Sequence, residues 1–332
     1  MPTEVLPSAY PVAPADTAAG TCTVEAAITD GHHKLALAHL GTAGGSWCLA
    51  SDEGAYLRGS DRAPAPLMHW AAGVHADFLA RVQAQKPAVF EFGYAVSGSF
   101  VQGGARGEAF APALAFSEPL DERRLAASPL WAAIETPLRN TFALYVNGRR
   151  REVHGVPASE AADFEDPFLR YAAAPPPVQE PQPPLIGKQP LDSGAQIVTL
   201  PTSGGRRFGA RVDGALRDGL VRSTVAFPQI PSSRFTFTVD AEGRRAPTGL
   251  AYAWAAVAFC YLTQISRYID ARKLGVASAR LVQRGPLAGP VDTHLFLNGA
   301  AEQGAMQELL AMAAGTCYLH ATLNAALELK LA

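Results

Sequence analysis

The two halves of this chain repeat each other, and that repetition restricts the folds open to it more than any single motif does. Arg62-Ala63-Pro64-Ala65-Pro66-Leu67 matches Arg245-Ala246-Pro247-Thr248-Gly249-Leu250, and at the same offset of 183 positions Ala72 meets Ala255 and Val74 meets Val257. Asp30-Gly31 against Asp213-Gly214, with Ala27 against Ala210, carries that register back toward the start of each half. Ala132-Ala133, Leu138 and Thr141 match Ala313-Ala314, Leu319 and Thr322 at an offset of 181. Matches in the same order at a nearly constant offset indicate a duplicated unit. Between the halves, Ala172 to Pro184 (AAAPPPVQEPQPP) is proline-rich and lacks apolar periodicity, which predicts an extended, semi-rigid spacer. The expected division is a first domain over 1–171, a linker over 172–186 and a second domain over 187–332.

The second half is the more readable. Arg206 to Val212 and Phe235 to Asp240 carry the alternation and the β-branched or aromatic residues of strands, with Gly204-Gly205 and Asp213-Gly214 as turn signals. Pro247 suits a first helical position, after which Leu250, Trp254, Val257, Tyr261, Ile265 and Ile269 keep helical spacing. That helix is expected to end near Lys273-Leu274-Gly275. Val276 to Gln283 and Val291 to Asn298 read as a hairpin, and Ala301 to Ala314 as a second helix, with Cys317 in a short loop after it. Strands segregated from helices predict an α+β class with antiparallel sheets.

Hydrophobic residues make up 48% of the chain and charged ones 17%, with a formal net charge of -2. There is no basic field for nucleic acid or anionic lipid, and no glycine-rich phosphate loop at a strand-to-helix junction. The apolar run Gly249 to Leu262 is shorter than the roughly 20 residues of a membrane span and reads as a buried helix. The first 20 residues show no basic and then apolar leader pattern, so a cytoplasmic location is expected. Four cysteines are too few for a disulfide scaffold and read as buried or redox-active thiols.

Two of those cysteines, Cys260 inside the long helix and Cys317 after the next one, sit in the segments PTGLAYAWAAVAFC (247–260) and MQELLAMAAGTCYLHATL (306–323). Together with Gly204-Gly205-Arg206 these segments resemble the OsmC/Ohr family of bacterial organic hydroperoxide reductases. The resemblance implies two copies of an OsmC-like domain, each an antiparallel sheet with two main helices, packed as an intrachain pseudo-dimer that could pair further. It further implies Cys260 as the peroxidatic thiol, Cys317 as the resolving thiol and Arg206 as the cation that holds Cys260 ionised, with Arg207 in second place. Where the reductases carry a glutamate just after the helix-opening proline, this chain has Thr248, and Glu242 is the nearest upstream carboxylate. In the first copy Asp77 and Thr136 stand at the two cysteine positions, and Thr23, or Ser46 if Gly44-Gly45 is paired with Gly204-Gly205, stands at the arginine position, so that copy is expected to act as scaffold.

The chemistry needs these residue types because only a thiolate attacks a peroxide oxygen, and an ordinary thiol is mostly protonated near neutrality. A permanently charged guanidinium could hold the thiolate. Attack would leave a sulfenic acid at Cys260, which condenses with Cys317 into a disulfide that an external dithiol reduces. Phe259 and Tyr261 suit an apolar alkyl or fatty-acid hydroperoxide. The partners implied are therefore that small substrate and the dithiol, with no cofactor. The missing glutamate motivates two other readings: a non-catalytic binder of a small apolar ligand, and a structural pseudo-enzyme.

The remaining polar signals read as structural. Cys22 and Cys48 have no cysteine counterpart in the other half and are expected in packing roles. Cys260, Cys317 and His320 lack the spacing of a zinc site. His32-His33, Arg149-Arg150-Arg151 and Arg244-Arg245 are expected on the solvated surface.

Overall fold

The computed structural model describes residues 21–41, 46–82, 88–97, 106–115, 138–166, 185–190, 206–228, 230–286, 290–324 and 330–331. The proline-rich stretch over 172–184, Gly204-Gly205, Ala132-Ala133 and Thr136 lie outside these residues. The architecture is α+β, with two seven-stranded sheets and four described α-helices.

The first half contributes β1 (Thr21–Asp30), β2 (His33–Leu40), β3 (Ser46–Ser51), α1 (Pro66–Val82), β4 (Ala88–Ser97), β5 (Arg106–Ala115), β6 (Asn140–Val146) and β7 (Arg149–Arg151). After β8 (Ile186–Gln189) the second half contributes β9 (Arg206–Arg217), β10 (Leu220–Ala226), β11 (Arg234–Asp240), α2 (Gly249–Arg272), β12 (Val276–Pro286) and β13 (Val291–Gly299). It finishes with α3 (Gln303–Thr316), α4 (Tyr318–Leu323) and β14 (Lys330–Leu331).

One sheet runs β3-β2-β1-β12-β13-β6-β7 and the other β14-β5-β4-β9-β10-β11-β8. Each sheet therefore joins the opening three strands of one half to the later hairpin of the other, through the antiparallel seams β1·β12 and β4·β9. Exchanging the halves turns the first order, from β3 to β6, into the second, from β11 to β14. The sheets are mixed, not purely antiparallel: β6 lies parallel to β13, and β14 parallel to β5.

Helix α2 packs on β1, β2 and β12, while α1 packs on β9, β10 and β11, and the two helices pack on each other. They approach at Gly73 and Gly249, where a Cβ on either glycine would sit 2.5 Å from the carbonyl oxygen of the other. Gly73→Ala is therefore expected to push the two helices apart at a cost of about 1–3 kcal/mol. Chemical denaturation checks this, and an unchanged midpoint would count against the crossing as described. Helix α2 is apolar on nearly every side, and most of its residues from Gly249 to Ser266 are buried, because sheet, α1, α3 and α4 surround it. It is long and apolar enough to cross a membrane, and 94% of its apolar window is buried inside the protein.

Local chemistry accounts for the element ends, in places differently from the sequence reading. Thr248, not Pro247, opens α2: its side chain accepts from the Ala251 amide at 3.1 Å, and helical residues begin at Gly249. The helix closes at Lys273, which takes a left-handed conformation (φ 50°) in place of the expected Gly275, and Leu274 N–H bonds back to Ile269 O. Asp213-Gly214 is no turn. It lies within β9, where a Cβ at Gly214 would meet Arg222 O at 2.3 Å and the His75 ring at 2.7 Å. The reversal falls at Asp218-Gly219, both at positive φ, as a two-residue hairpin; Asn147-Gly148 does the same between β6 and β7. The second C-terminal helix starts at Gln303, and Cys317 lies between α3 and α4, not in an open loop.

Candidate functional site

Position 260 lies midway along α2, and Thr263 follows about one turn later on the same side. Cys317 ends α3 and caps α4, which brings the first N–H groups of α4 against the middle of α2. Both sulfurs are free thiols and buried, at 3% and 0% exposure. They are hydrogen-bonded to each other, and Cys260 also meets the backbone N–H groups of Leu319 and Tyr318.

These contacts set opposite directions for the two thiols. Burial alone would push Cys260 up. Hydrogen bonds from the Cys317 thiol and from the Leu319 and Tyr318 amides overcome that, and against the opposing Glu53 carboxylate they hold it below the usual thiol value of 9.0. Cys317 is driven well above that value, first by burial and then by the neighbouring Cys260 sulfur. Alkylation of Cys260 against pH should therefore level off below pH 9, with Cys317 reacting only at higher pH; peptide-resolved iodoacetamide labelling reads this, and the reverse order would contradict it. Because the Cys260 thiol is depressed in the folded chain, it contributes stability above its unfolded value, and that contribution is lost as pH falls through the folded one.

The first half supplies the rest of the site. Lys34 on β2 is fully buried and donates through Nζ to Thr263 Oγ1 at 2.8 Å. That hydroxyl lies 2.8 Å from Glu53 Oε1 and 3.0 Å from Phe259 O, and Lys34 Nζ lies 3.9 Å from the same Glu53 oxygen. Tyr56 OH donates to Glu53 Oε2 at 3.3 Å. Burial lowers the Lys34 amine from its ordinary value, while Glu53, Asp52 and Cys260 pull it back up. Lys34 and Cys260 thus influence each other's ionisation, and the lowered value of the amine makes it a ready proton donor.

Glu53 reaches the site because the loop after β3 is longer than its counterpart after β11. In both halves an aspartate N–H bonds to a proline carbonyl, Asp52 to Pro64 and Asp240 to Pro247. In both its carboxylate also accepts from the amide of the matched arginine, Arg62 or Arg245. Ten positions separate the pair in the first half and five in the second. The extra residues carry Glu53 and Tyr56, and Tyr56 packs edge-on against Phe227 of the other half at 6.1 Å. Gly59 lets the loop fold back, since a Cβ there would stand 1.9 Å from Glu53 O.

The two predicted sulfurs are thus brought together. Arg206 and Arg207 are on β9, paired with Val96 and Ala95 of β4 in the sheet that packs on α1; their side chains lie outside the described residues. Glu242 is exposed on the turn before α2 and pairs with Arg244, about three helical turns above Cys260. Lys34, Glu53 and Tyr56, which line α2 near Thr263, come from the first half. Exchange of strands between the halves is the reason: the strands that cover α2 are β1 and β2. His32 and His33, expected to be solvated, are half-buried, and burial lowers both from their ordinary value. Cys22 lies in the core, and burial pushes the Cys48 thiol up to about 12. Among the described residues no group of three His, Cys, Asp or Glu side chains is disposed to hold a metal ion.

No protein-family model, curated protein or solved structure matches the chain.

Proposed function

We propose that the chain reduces organic hydroperoxides, of alkyl or fatty-acid type, with Cys260 as the attacking thiolate and Cys317 as the resolving thiol. The observation that carries this reading is the hydrogen-bonded pair of free, buried sulfurs with one thiol lowered and the other raised. Burial alone would raise both thiols, so the lowering of Cys260 by the Cys317 thiol and by the Leu319 and Tyr318 amides sets it apart from a packing cysteine. In this reading the Cys260 thiolate attacks the distal oxygen of ROOH, the O–O bond breaks, and the alkoxide leaves as an alcohol with a proton from the Lys34 ammonium, which recovers one from solvent. Cys260 is left as a sulfenic acid. Cys317 then displaces its oxygen as water to form a disulfide, and an external dithiol returns both thiols. The carboxylate absent at Thr248 has a substitute in Glu53, which favours this reading over a non-catalytic binder of apolar ligands.

The exchange of strands between the repeats supports the finer fold reading, an OsmC-like pair fused into an intrachain pseudo-dimer with one working site. Treatment of the reduced protein with one equivalent of tert-butyl hydroperoxide tests the function. Intact mass should fall by two hydrogens, and peptide mapping should join Cys260 to Cys317. Retention of both thiols would end the proposal.

A further inference from the structure

We propose that His320 is a catalytic base for the resolving step, accepting the Cys317 thiol proton as that sulfur attacks oxidised Cys260. The proposal rests on the peroxidase reading for the nature of the oxidant, but its geometry is independent of it. His320 Nδ1 lies 3.0 Å from Cys317 Sγ, and His320 Nε2 lies 3.5 Å from Thr293 Oγ1. The ring is buried between Tyr261 and Phe142, with centroids 5.2 Å and 5.5 Å away, and Asn140 Nδ2 fixes the backbone by donating to His320 O at 3.0 Å. Cys317 caps α4 and His320 is its third residue, the position from which a side chain folds back over the cap. With Nε2–H donating to the Thr293 hydroxyl, Nδ1 is left as an acceptor aimed at the thiol. Burial lowers His320 to about 3, so the ring enters the reaction neutral.

The Cys317 thiol has one proton and two acceptors. In the reduced site that proton faces the Cys260 thiolate and stabilises its charge. Once Cys260 is a neutral sulfenic acid that attraction is gone, and the proton turns to Nδ1. The step then balances: an S–S bond forms, the S–O bond of the sulfenic acid breaks, the thiol proton passes to Nδ1, and the departing hydroxide becomes water with a proton from Lys34. The imidazolium, disfavoured by burial, releases its proton to solvent, from which Lys34 recovers its own. No electrons enter or leave.

The test compares wild type with His320→Gln and with Thr293→Val, which keeps the ring and removes its Nε2 partner. Each protein receives one equivalent of tert-butyl hydroperoxide with dimedone present, and the dimedone adduct at Cys260 is measured against the disulfide. Wild type should give disulfide. In the glutamine variant disulfide closure should slow by about 10²-fold or more relative to the oxidation of Cys260 in the same protein, and the adduct should dominate. The valine variant should show a smaller shift the same way. Closure at the wild-type rate in both variants overturns the proposal. If hydroperoxide leaves wild-type Cys260 unoxidised, the peroxidase reading fails. Diamide then places a leaving group on Cys260, and unchanged closure by Cys317 in the glutamine variant would still overturn the role of His320.

Discussion

Cys260→Ser should reduce hydroperoxide consumption by about 10³-fold or more, to the level of protein-free buffer, while Cys317→Ala should fail in a different way. A serine hydroxyl stays protonated where a lowered thiol is ionised, and oxygen cannot take the place of sulfur as the atom oxidised. Of the two free thiols at the site, Cys260 alone is lowered from its ordinary value. Cys317→Ala keeps that sulfur but removes one of its hydrogen-bond donors. A charge-assisted bond is worth about 1.5–3 kcal/mol, so the thiolate population, and with it the first turnover, should fall by about 10- to 100-fold. The reaction should then stop with Cys260 as a sulfenic acid, the disulfide route being closed. Peroxide loss followed by ferrous–xylenol orange, with the intact mass recorded alongside, separates the two patterns. Steady turnover by Cys260→Ser would remove that sulfur from the chemistry.

The duplication, the α+β class and the long buried helix were legible in the sequence because each is written in local or periodic signals. The repeated Arg-Ala-Pro segment and the helical spacing from Leu250 to Ile269 are of this kind. The turn at Asp218-Gly219 was open to the same reading, but the matched Asp213-Gly214 drew it away. A glycine demanded by His75 packing cannot be told from a turn glycine without the tertiary contact. The pair Cys260 and Cys317 was also legible, since both fall in one half. The amine and the carboxylate were not. They belong to the other half, and strand exchange between repeats is a long-range pairing that no window of sequence reports. One signal existed: Lys34 stands in an apolar strand, HKLALAHL, facing the same side as Ala36 and Ala38. A lysine in such a register asks for a buried partner. The longer first-half loop was the other clue, because insertions at matched positions of a repeat are where the copies differ in function.

Lys34→Met is expected to lose both reactivity and stability, and the double variant Lys34→Met/Glu53→Gln is expected to regain only the second. Removing the amine leaves the Glu53 carboxylate buried beside a hydroxyl and a phenol, an uncompensated charge that costs about 3–5 kcal/mol. Neutralising Glu53 as well removes that penalty, since a buried pair replaced by neutral groups of similar volume is often tolerated without loss. Reactivity follows a different rule. Cys260 raises the Lys34 amine, so the amine in turn favours the thiolate, and without it the thiolate fraction near neutrality should fall by about 10-fold or more. Glu53→Gln alone should move Cys260 the other way, because that carboxylate opposes its ionisation. Denaturant midpoints and the iodoacetamide rate at Cys260 measured on the three variants decide the matter. If the double variant recovers the labelling rate together with the midpoint, Lys34 is a packing residue that happens to be charged, and the cation must be sought elsewhere. If it recovers the midpoint alone, the first half of the chain supplies a working part of the site.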